Sequence, residues 1–266
     1  MRYESITSAQ NPKLRNLLTL QEKSRARREQ GLFVVEGRRE LGHALEAGYR
    51  PRTLFVREGE PLQELLAQAD AATPDCLAVT LPAPLYAKAA YREGTEGIIA
   101  VMETKTFSLN DLQLSENPLV VVLESVEKPG NLGAVLRSAD AARCDAVIVC
   151  DPLTDLYNPN LIRASLGGIF TVPTVCASSE EAIAWLRARG IRILTAQLQD
   201  SSWYYDIDMT GGIALVMGTE STGLTDIWRR AADAHIRIPM LGRLDSLNVS
   251  VSAAILLFEA VRQRND

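Results

Sequence analysis

The chain has 266 residues, 47% of them apolar and 23% charged, with a formal net charge of −5. These are the values of an ordinary folded globular chain. They exclude a disordered or fibrous one, and no apolar run reaches the roughly 20 residues that span a bilayer. The opening MRYESITSAQNPKLR lacks the apolar core of a secretory signal, so a soluble cytoplasmic protein is expected.

Charge is unevenly spread. Residues 1–40 hold nine basic side chains (Arg2, Lys13, Arg15, Lys23, Arg25, Arg27, Arg28, Arg38, Arg39) against five acidic ones. An acidic total argues mildly against a nucleic-acid partner, but a local basic cluster is what makes an electrostatic footprint. KSRARRE reads equally well as a solvated helix face.

LFVVEG (32–37) reads as a short buried strand, followed by a helix from Arg38 to about Ala47. TLFV (53–56) is a second strand, and PLQELLAQAD (61–70) has helical spacing. CLAVT (76–80) and GIIAVME (97–103) complete a small αβ sandwich. TKTFSLNDLQLSEN (104–117) is polar and lacks either period, which marks a linker. The expected division is residues 1–106, a linker at 107–117, and a second domain over 118–266.

From Pro118 the strands strengthen. LVVVLE (119–124) and AVIVC (146–150) read as strands buried on both faces, the mark of a parallel sheet under helices. NLGAVLRSADAA (131–142) between them has helical spacing. IRILT (191–195), IALVMG (213–218) and HIRIP (235–239) supply further strands, and a last helix runs from about Leu247 to Arg264. This is an α/β domain with ligand-binding loops at the carboxyl ends of its strands.

Four cysteines (Cys76, Cys144, Cys150, Cys176) lie far apart with no C-x-x-C pair, and only His43 and His235 are present. That spacing fits neither a zinc site nor a disulfide framework, so no metal is expected and buried thiols are the better reading.

Three strand-end loops break the local rules. In EKPGNLGAVLRSAD (127–140), Pro129 and Gly130 force a turn, Asn131 can cap the helix, and Arg137 lies among Ala, Val and Leu, where it needs a partner. In VMGTESTGL (216–224), Glu220 sits between Gly218 and Gly223, and glycines there let backbone approach a ligand. In IPMLGRLDSLNVSVSAAILLFEA (238–260), Ser246 and Asn248 stand at the entrance to the last helix, with capping the plain account of Ser246.

Together, N-L-G-x-x-x-R-S-A-D, V-M-G-T-E-x-x-G-L and I-P-M-x-G-x-x-x-S-L-N-V-S-V-S-A-A-I resemble the three motifs of SpoU (TrmH-type) RNA 2′-O-ribose methyltransferases of the SPOUT superfamily. The resemblance covers about 118–266. The opening I-T-S-A-Q-N-P-K-L-R followed by R-x-x-x-G-L-F-V-V-E-G is similar to that family's substrate-binding module. The resemblance implies a ribosomal-protein-like αβ sandwich, then a SPOUT α/β domain with a parallel sheet and a trefoil knot.

It also implies S-adenosylmethionine as methyl donor, held at Gly218, Ile238 and Leu247, with no metal. Asn131, Arg137, Glu220, Ser246 and Asn248 match the family's active site. Arg137 would stabilise the developing alkoxide of a ribose 2′-hydroxyl, because an arginine stays protonated and makes a poor base. Lys23, Arg25, Arg27, Arg28, Arg38 and Arg39 would hold RNA backbone. Ribosomal RNA is favoured over transfer RNA, and a homodimer paired through the last helix is expected. One departure is Ser221, where many members have glycine.

Two readings from other classes compete. A non-catalytic RNA-binding assembly factor of the same fold is disfavoured by the intact Asn131, Arg137, Glu220 and Asn248 set. A dehydrogenase is disfavoured because no G-x-G-x-x-G follows the first strand of either domain.

Overall fold

Short Val/Ile/Leu runs alternating with helical segments build two separate sheets. The structure is a computed structural model that describes residues 1–91, 96–219 and 222–265. The chain divides into two units, Met1–Lys105 with Asp155–Thr171, and Thr106–Thr154 with Val172–Asp266.

The first unit runs β1 (Arg2–Ser5), α1 (Pro12–Glu22), α2 (Ser24–Gln30), β2 (Leu32–Glu36), α3 (Arg38–Glu46), β3 (Pro51–Arg57), α4 (Gln63–Ala72), β4 (Leu77–Leu81), α5 (Ala83–Ala89) and β5 (Ile98–Glu103). The strand order is β1-β4-β3-β5-β2. Strands β1, β4 and β3 pair in parallel, and β5 runs antiparallel to both β3 and β2. Helix α1 starts where the Asn11 side chain accepts from the Lys13 amide and Pro12 takes the first turn. Its Leu14, Leu17 and Leu20 pack on Val34, Phe55, Val79 and Ile99. Alternation along β2 sends Phe33 to the other face. There it stacks on Tyr157 at 4.3 Å between ring centroids.

The second unit begins with β6 (Leu119–Glu124), α6 (Pro129–Ala141) and β7 (Ala146–Cys150). The segment after β7 carries α7 (Pro159–Ala164) and α8 (Gly168–Thr171) and clusters with the first unit. There follow β8 (Thr174–Ala177), α9 (Ser179–Ala188), β9 (Arg192–Ala196), β10 (Ser202–Trp203), β11 (Ile213–Met217), α10 (Asp226–Ala231), β12 (Ala234–Arg237) and α11 (Val249–Asn265). All ladders are parallel, in the order β10-β12-β9-β11-β6-β7-β8. Strands β6, β7 and β11 are buried at every position, which is why they read as unbroken apolar runs.

The polar stretch before β6 is not bare connection. A capping box between Ser108 and Asp111 opens a 3-10 turn, and Leu109, Leu112 and Leu114 pack on the second unit's core. At the far end, Arg264 of α11 donates to the carbonyls of Asn117, Met209 and Gly211 at 2.8, 3.0 and 2.7 Å. These bonds tie the last helix to the entrances of β6 and β11.

Candidate active site

The carboxyl ends of β9, β11 and β12 open onto a cavity of about 390 Å³. Gly218 lines it from the end of β11, Ile238 from the end of β12, and Ser246 and Leu247 from the approach to α11. Met217, Leu224, Val249 and Leu256 make much of the wall apolar, while Gln197 and Arg237 add polar groups. Open parallel sheets bind ligands at this end, because loops there diverge and leave a crevice.

The loop after β11 closes on itself. The Gly223 amide donates to the Thr219 carbonyl at 3.0 Å, the Thr219 and Thr222 hydroxyls lie 2.7 Å apart, and Gly223 takes a φ of 68°. A Cβ on Gly218 would overlap the Gly223 carbonyl and the Leu224 nitrogen. Glycine at 218 is therefore a condition of loop closure. Glu220, the carboxylate expected in this loop, and Ser221 lie outside the described residues.

Asn131 and Asn248 meet: the Asn248 Nδ2 donates to the Asn131 Oδ1 at 3.2 Å. The capping roles expected of Asn131 and Ser246 fall to other residues. Helix α6 begins at Pro129 with Lys128 as its cap, so Asn131 sits inside the first turn. Helix α11 begins at Val249, and Asn248 is what caps it, accepting from the Ser250 amide at 3.0 Å and the Ser250 hydroxyl at 2.6 Å. Ser246 is exposed, two residues before that cap.

Arg137 projects from α6 and is exposed. The expectation that it needs a partner among apolar neighbours is not met: Leu132, Val135, Leu136 and Ala139 form the buried face, and Arg137 is on the other. No ion pair to it occurs among the described residues.

Sequence reasoning missed a buried polar cluster at the ends of β6 and β7. Glu124, 3% exposed, accepts from the Thr225 amide at 2.8 Å and the Thr225 hydroxyl at 2.5 Å. Ser179 donates to Asp151 Oδ2 at 2.6 Å and accepts from Trp228 Nε1 at 2.9 Å. The residues just past the two strands, Ser125 and Asp151, have φ of 53° and 48°, a conformation non-glycine residues hold only when neighbours enforce it. A glutamate ending the apolar run LVVVLE was the available signal.

The basic residues expected to hold RNA divide sharply. Arg27 is 3% exposed, pairs with Asp155 at 2.7 Å and donates to the Leu20 carbonyl at 2.6 Å. It is a structural ion pair of the first unit, not a surface charge, and that expectation is corrected. Arg25 pairs with Glu29 at 2.6 Å, and Arg39 lies 3.2 Å from Glu40. Arg38 donates to Glu60 at 2.8 Å and to the Glu96 carbonyl at 2.9 Å. Lys23 and Arg28 are exposed with no ion pair among the described residues.

Cys76, Cys144 and Cys150 are buried, whereas Cys176 is exposed, which corrects the buried reading for that one thiol. Among the described residues no cluster of His, Cys, Asp or Glu could hold a metal ion, and no helix is long and apolar enough to cross a membrane.

An all-parallel α/β unit with a cavity at the carboxyl ends of its strands has the arrangement in which open α/β sheets bind ligands. Residues 118–258 match the family model described as the SpoU rRNA Methylase family, and residues 11–100 match the MRM3-like substrate binding domain. The chain belongs to the SpoU rRNA methylase family. It is 31% identical over 240 residues to a 23S rRNA (uridine(2479)-2′-O)-methyltransferase of Streptomyces viridochromogenes, covering 88% of this chain and 84% of that one. It is 27% identical over 255 residues to the 23S rRNA (guanosine(2553)-2′-O)-methyltransferase RlmP of Bacillus subtilis, covering 96% and 98%. Among solved structures, the AdoMet-bound rRNA methyltransferase of Sinorhizobium meliloti superposes with a TM-score of 0.90 at 31% identity, covering 98% of each chain.

Proposed function

We propose that this protein transfers a methyl group from S-adenosylmethionine to a ribose 2′-hydroxyl of ribosomal RNA. The observation that carries the reading is that Gly218, Ile238 and Leu247, which come from three different loops, line one cavity. Relatives named as 23S rRNA 2′-O-methyltransferases support the substrate class.

The cavity suits the donor. Its volume lies within the range of about 300–1,000 Å³ common to small-molecule sites. Gln197 and Arg237 bring polar side chains to the lining, and the Arg237 guanidinium stacks on Trp203 at 4.2 Å. Backbone at Gly218 and Ile238 and the apolar wall near Leu247 would hold the donor, whose sulfonium supplies an electrophilic methyl group.

The chain's own part is to prepare the hydroxyl. The Arg137 guanidinium would stabilise the developing alkoxide and the neighbouring phosphate while the hydroxyl proton leaves to another base, because an arginine side chain is a poor proton acceptor. The Asn131–Asn248 pair and Ser246 would set the substrate's position between α6 and α11. Glu220 would orient Arg137. The first unit, through Lys23 and Arg28, would hold RNA backbone.

Two further features belong to this reading. The last segment would thread a trefoil knot, in a sheet where β11 lies beside β6 and β9 pairs with the far side of β11. The protein acts in the cytoplasm as a homodimer, for which Val251 and Phe258 offer an exposed apolar stripe at 46% and 49% exposure, seven positions apart on α11. A single 29.1 kDa species in light scattering at micromolar concentration would refute the dimer.

The decisive test is incubation with labelled methyl donor and undermodified ribosomal and transfer RNA, followed by mapping of the labelled nucleotide. Label on a ribose of ribosomal RNA is expected. Label confined to transfer RNA, to a base, or to nothing overturns the proposal.

A further inference from the structure

We infer that Glu124 is a positioning residue for the methyl donor, acting through Thr225 on the loop that lines the donor cavity. This rests on the reading of that cavity given above. Glu124 ends β6, buried in a strand otherwise made of Leu and Val. Burying a carboxylate is costly unless its oxygens are satisfied. Here both are used on one residue: Oε2 accepts the Thr225 backbone N–H and Oε1 the Thr225 hydroxyl, across 101 positions of sequence.

Thr225 stands where the loop after β11 gives way to α10, as the N-cap of that helix. The described residues of the loop are held at both ends. At one end Gly218 packs so closely under Gly223 and Leu224 that no Cβ fits. At the other, Glu124 fixes Thr225, the residue after Leu224. Gly218, Thr219, Thr222, Gly223 and Leu224 all line the cavity. Any release at Thr225 therefore passes directly into the cavity wall.

The anchor is itself braced. Ser179 lies 3.5 Å from Glu124 Oε1, and its proton goes to Asp151, the nearer acceptor at 2.6 Å. Trp228 of α10, 0% exposed, donates to the same Ser179 oxygen. The ends of β6 and β7 and the starts of α9 and α10 are thus joined through the Glu124, Asp151, Ser179 and Trp228 side chains. A carboxylate accepts at both oxygens. An amide could keep both contacts, because the Thr225 hydroxyl can turn and accept from its N–H. Glu124→Met keeps an unbranched side chain of similar length and offers neither acceptor.

The test measures donor affinity by calorimetry, together with turnover and a melting curve, on the full-length wild type, Glu124→Met and Thr225→Val. Glu124→Met should weaken S-adenosylmethionine binding by about 10- to 100-fold, as expected when bonds to a charged group are lost. Turnover at saturating donor should stay within about 3-fold, because the residue touches neither substrate nor reacting atoms. Thr225→Val, which loses only the hydroxyl bond, should weaken donor binding less, and the double variant should lose less than the two single losses combined. Unchanged donor affinity in a folded Glu124→Met protein makes Glu124 purely structural, whatever its melting temperature, and overturns the inference. A wild type that binds no S-adenosylmethionine overturns the cavity assignment instead.

Discussion

Asn248 donates its side-chain amide to the Asn131 carbonyl oxygen at 3.2 Å, joining residues 117 positions apart. The same Asn248 side chain uses its oxygen to cap α11. One amide thus starts a helix with its acceptor and fixes that helix against α6 with its donor, a division open to it because an amide carries both.

Asn248→Asp separates the two jobs. Aspartate keeps the capping acceptor, so the melting temperature should hold. It has no N–H for Asn131, so turnover should fall. Asn248→Ala should lose both, with roughly 1 kcal/mol of stability gone with the cap. Equal turnover in wild type and Asn248→Asp would separate the pair from the active site.

Gly218→Ala should be enough to abolish donor binding. The added methyl group meets the Gly223 carbonyl and the Leu224 nitrogen, which are backbone and cannot rotate away. The loop must open, and the cavity wall goes with it. The β11 core beneath is untouched, so the variant should still melt cooperatively. Calorimetry with S-adenosylmethionine that shows wild-type affinity for Gly218→Ala would remove the closed loop from donor binding.

The basic residues of the first unit should split into two phenotypes. Arg27→Ala leaves Asp155, 13% exposed, without its partner and should cost about 3–5 kcal/mol of stability. Lys23→Ala and Arg28→Ala should leave the melting curve unchanged and flatten the salt dependence of RNA binding by about one charge each. An unchanged salt slope in the double variant would make this face merely solvated.

Much of this architecture was legible because its strands declare themselves. Runs such as LVVVLE and AVIVC have only one comfortable place, the middle of a parallel sheet, and they lie within a residue or two of where they were read. Helix entrances were harder. Ser246 and Asn131 are good capping types, but the cap falls to Asn248 in one case and to Lys128, with no side-chain bond, in the other. Propensity cannot choose between candidates two or three positions apart, and Asn248 is held by a partner, Asn131, far along the chain. The same limit hid Arg27, which a charge count places on the surface. Its partner Asp155 stands 128 positions away. The segment 155–171 lies between β7 and β8 in sequence yet clusters with the first unit, and nothing in its local pattern could say so.

Thiol chemistry should pick out one cysteine of the four. Burial pushes the Cys76 thiol up to about 11 and the Cys144 thiol up to about 12, and it drives Cys150 higher still. A raised pKa leaves almost no thiolate at pH 8, and the thiolate is the form that reacts. Native protein treated with a thiol reagent at pH 8 should label Cys176 alone, with the other three appearing on denaturation. Fast native labelling of a second cysteine would show that the β7 or β4 region opens.

Arg137→Ala is the sharpest probe of the chemistry. The side chain is exposed on α6, opposite the buried face, and holds no ion pair among the described residues. Its removal therefore costs little packing, and the melting temperature should stay near that of the wild type. If Arg137 stabilises the alkoxide or the phosphate beside it, turnover should fall by roughly 10²–10³, the usual loss when one such electrostatic contact goes. Donor affinity should barely change, since Arg137 is not among the residues lining the cavity. Arg137→Lys should recover little, because a point charge on a flexible stem does not reproduce a planar fork of donors. Steady-state kinetics, calorimetry with S-adenosylmethionine and a melting curve on one preparation resolve the alternatives. A fall in melting temperature with matching loss of activity would indicate a structural role, through a pair with Glu220. Near-normal turnover in a folded Arg137→Ala protein would remove the residue from the reaction altogether and leave the alkoxide to be stabilised by the Asn131–Asn248 pair.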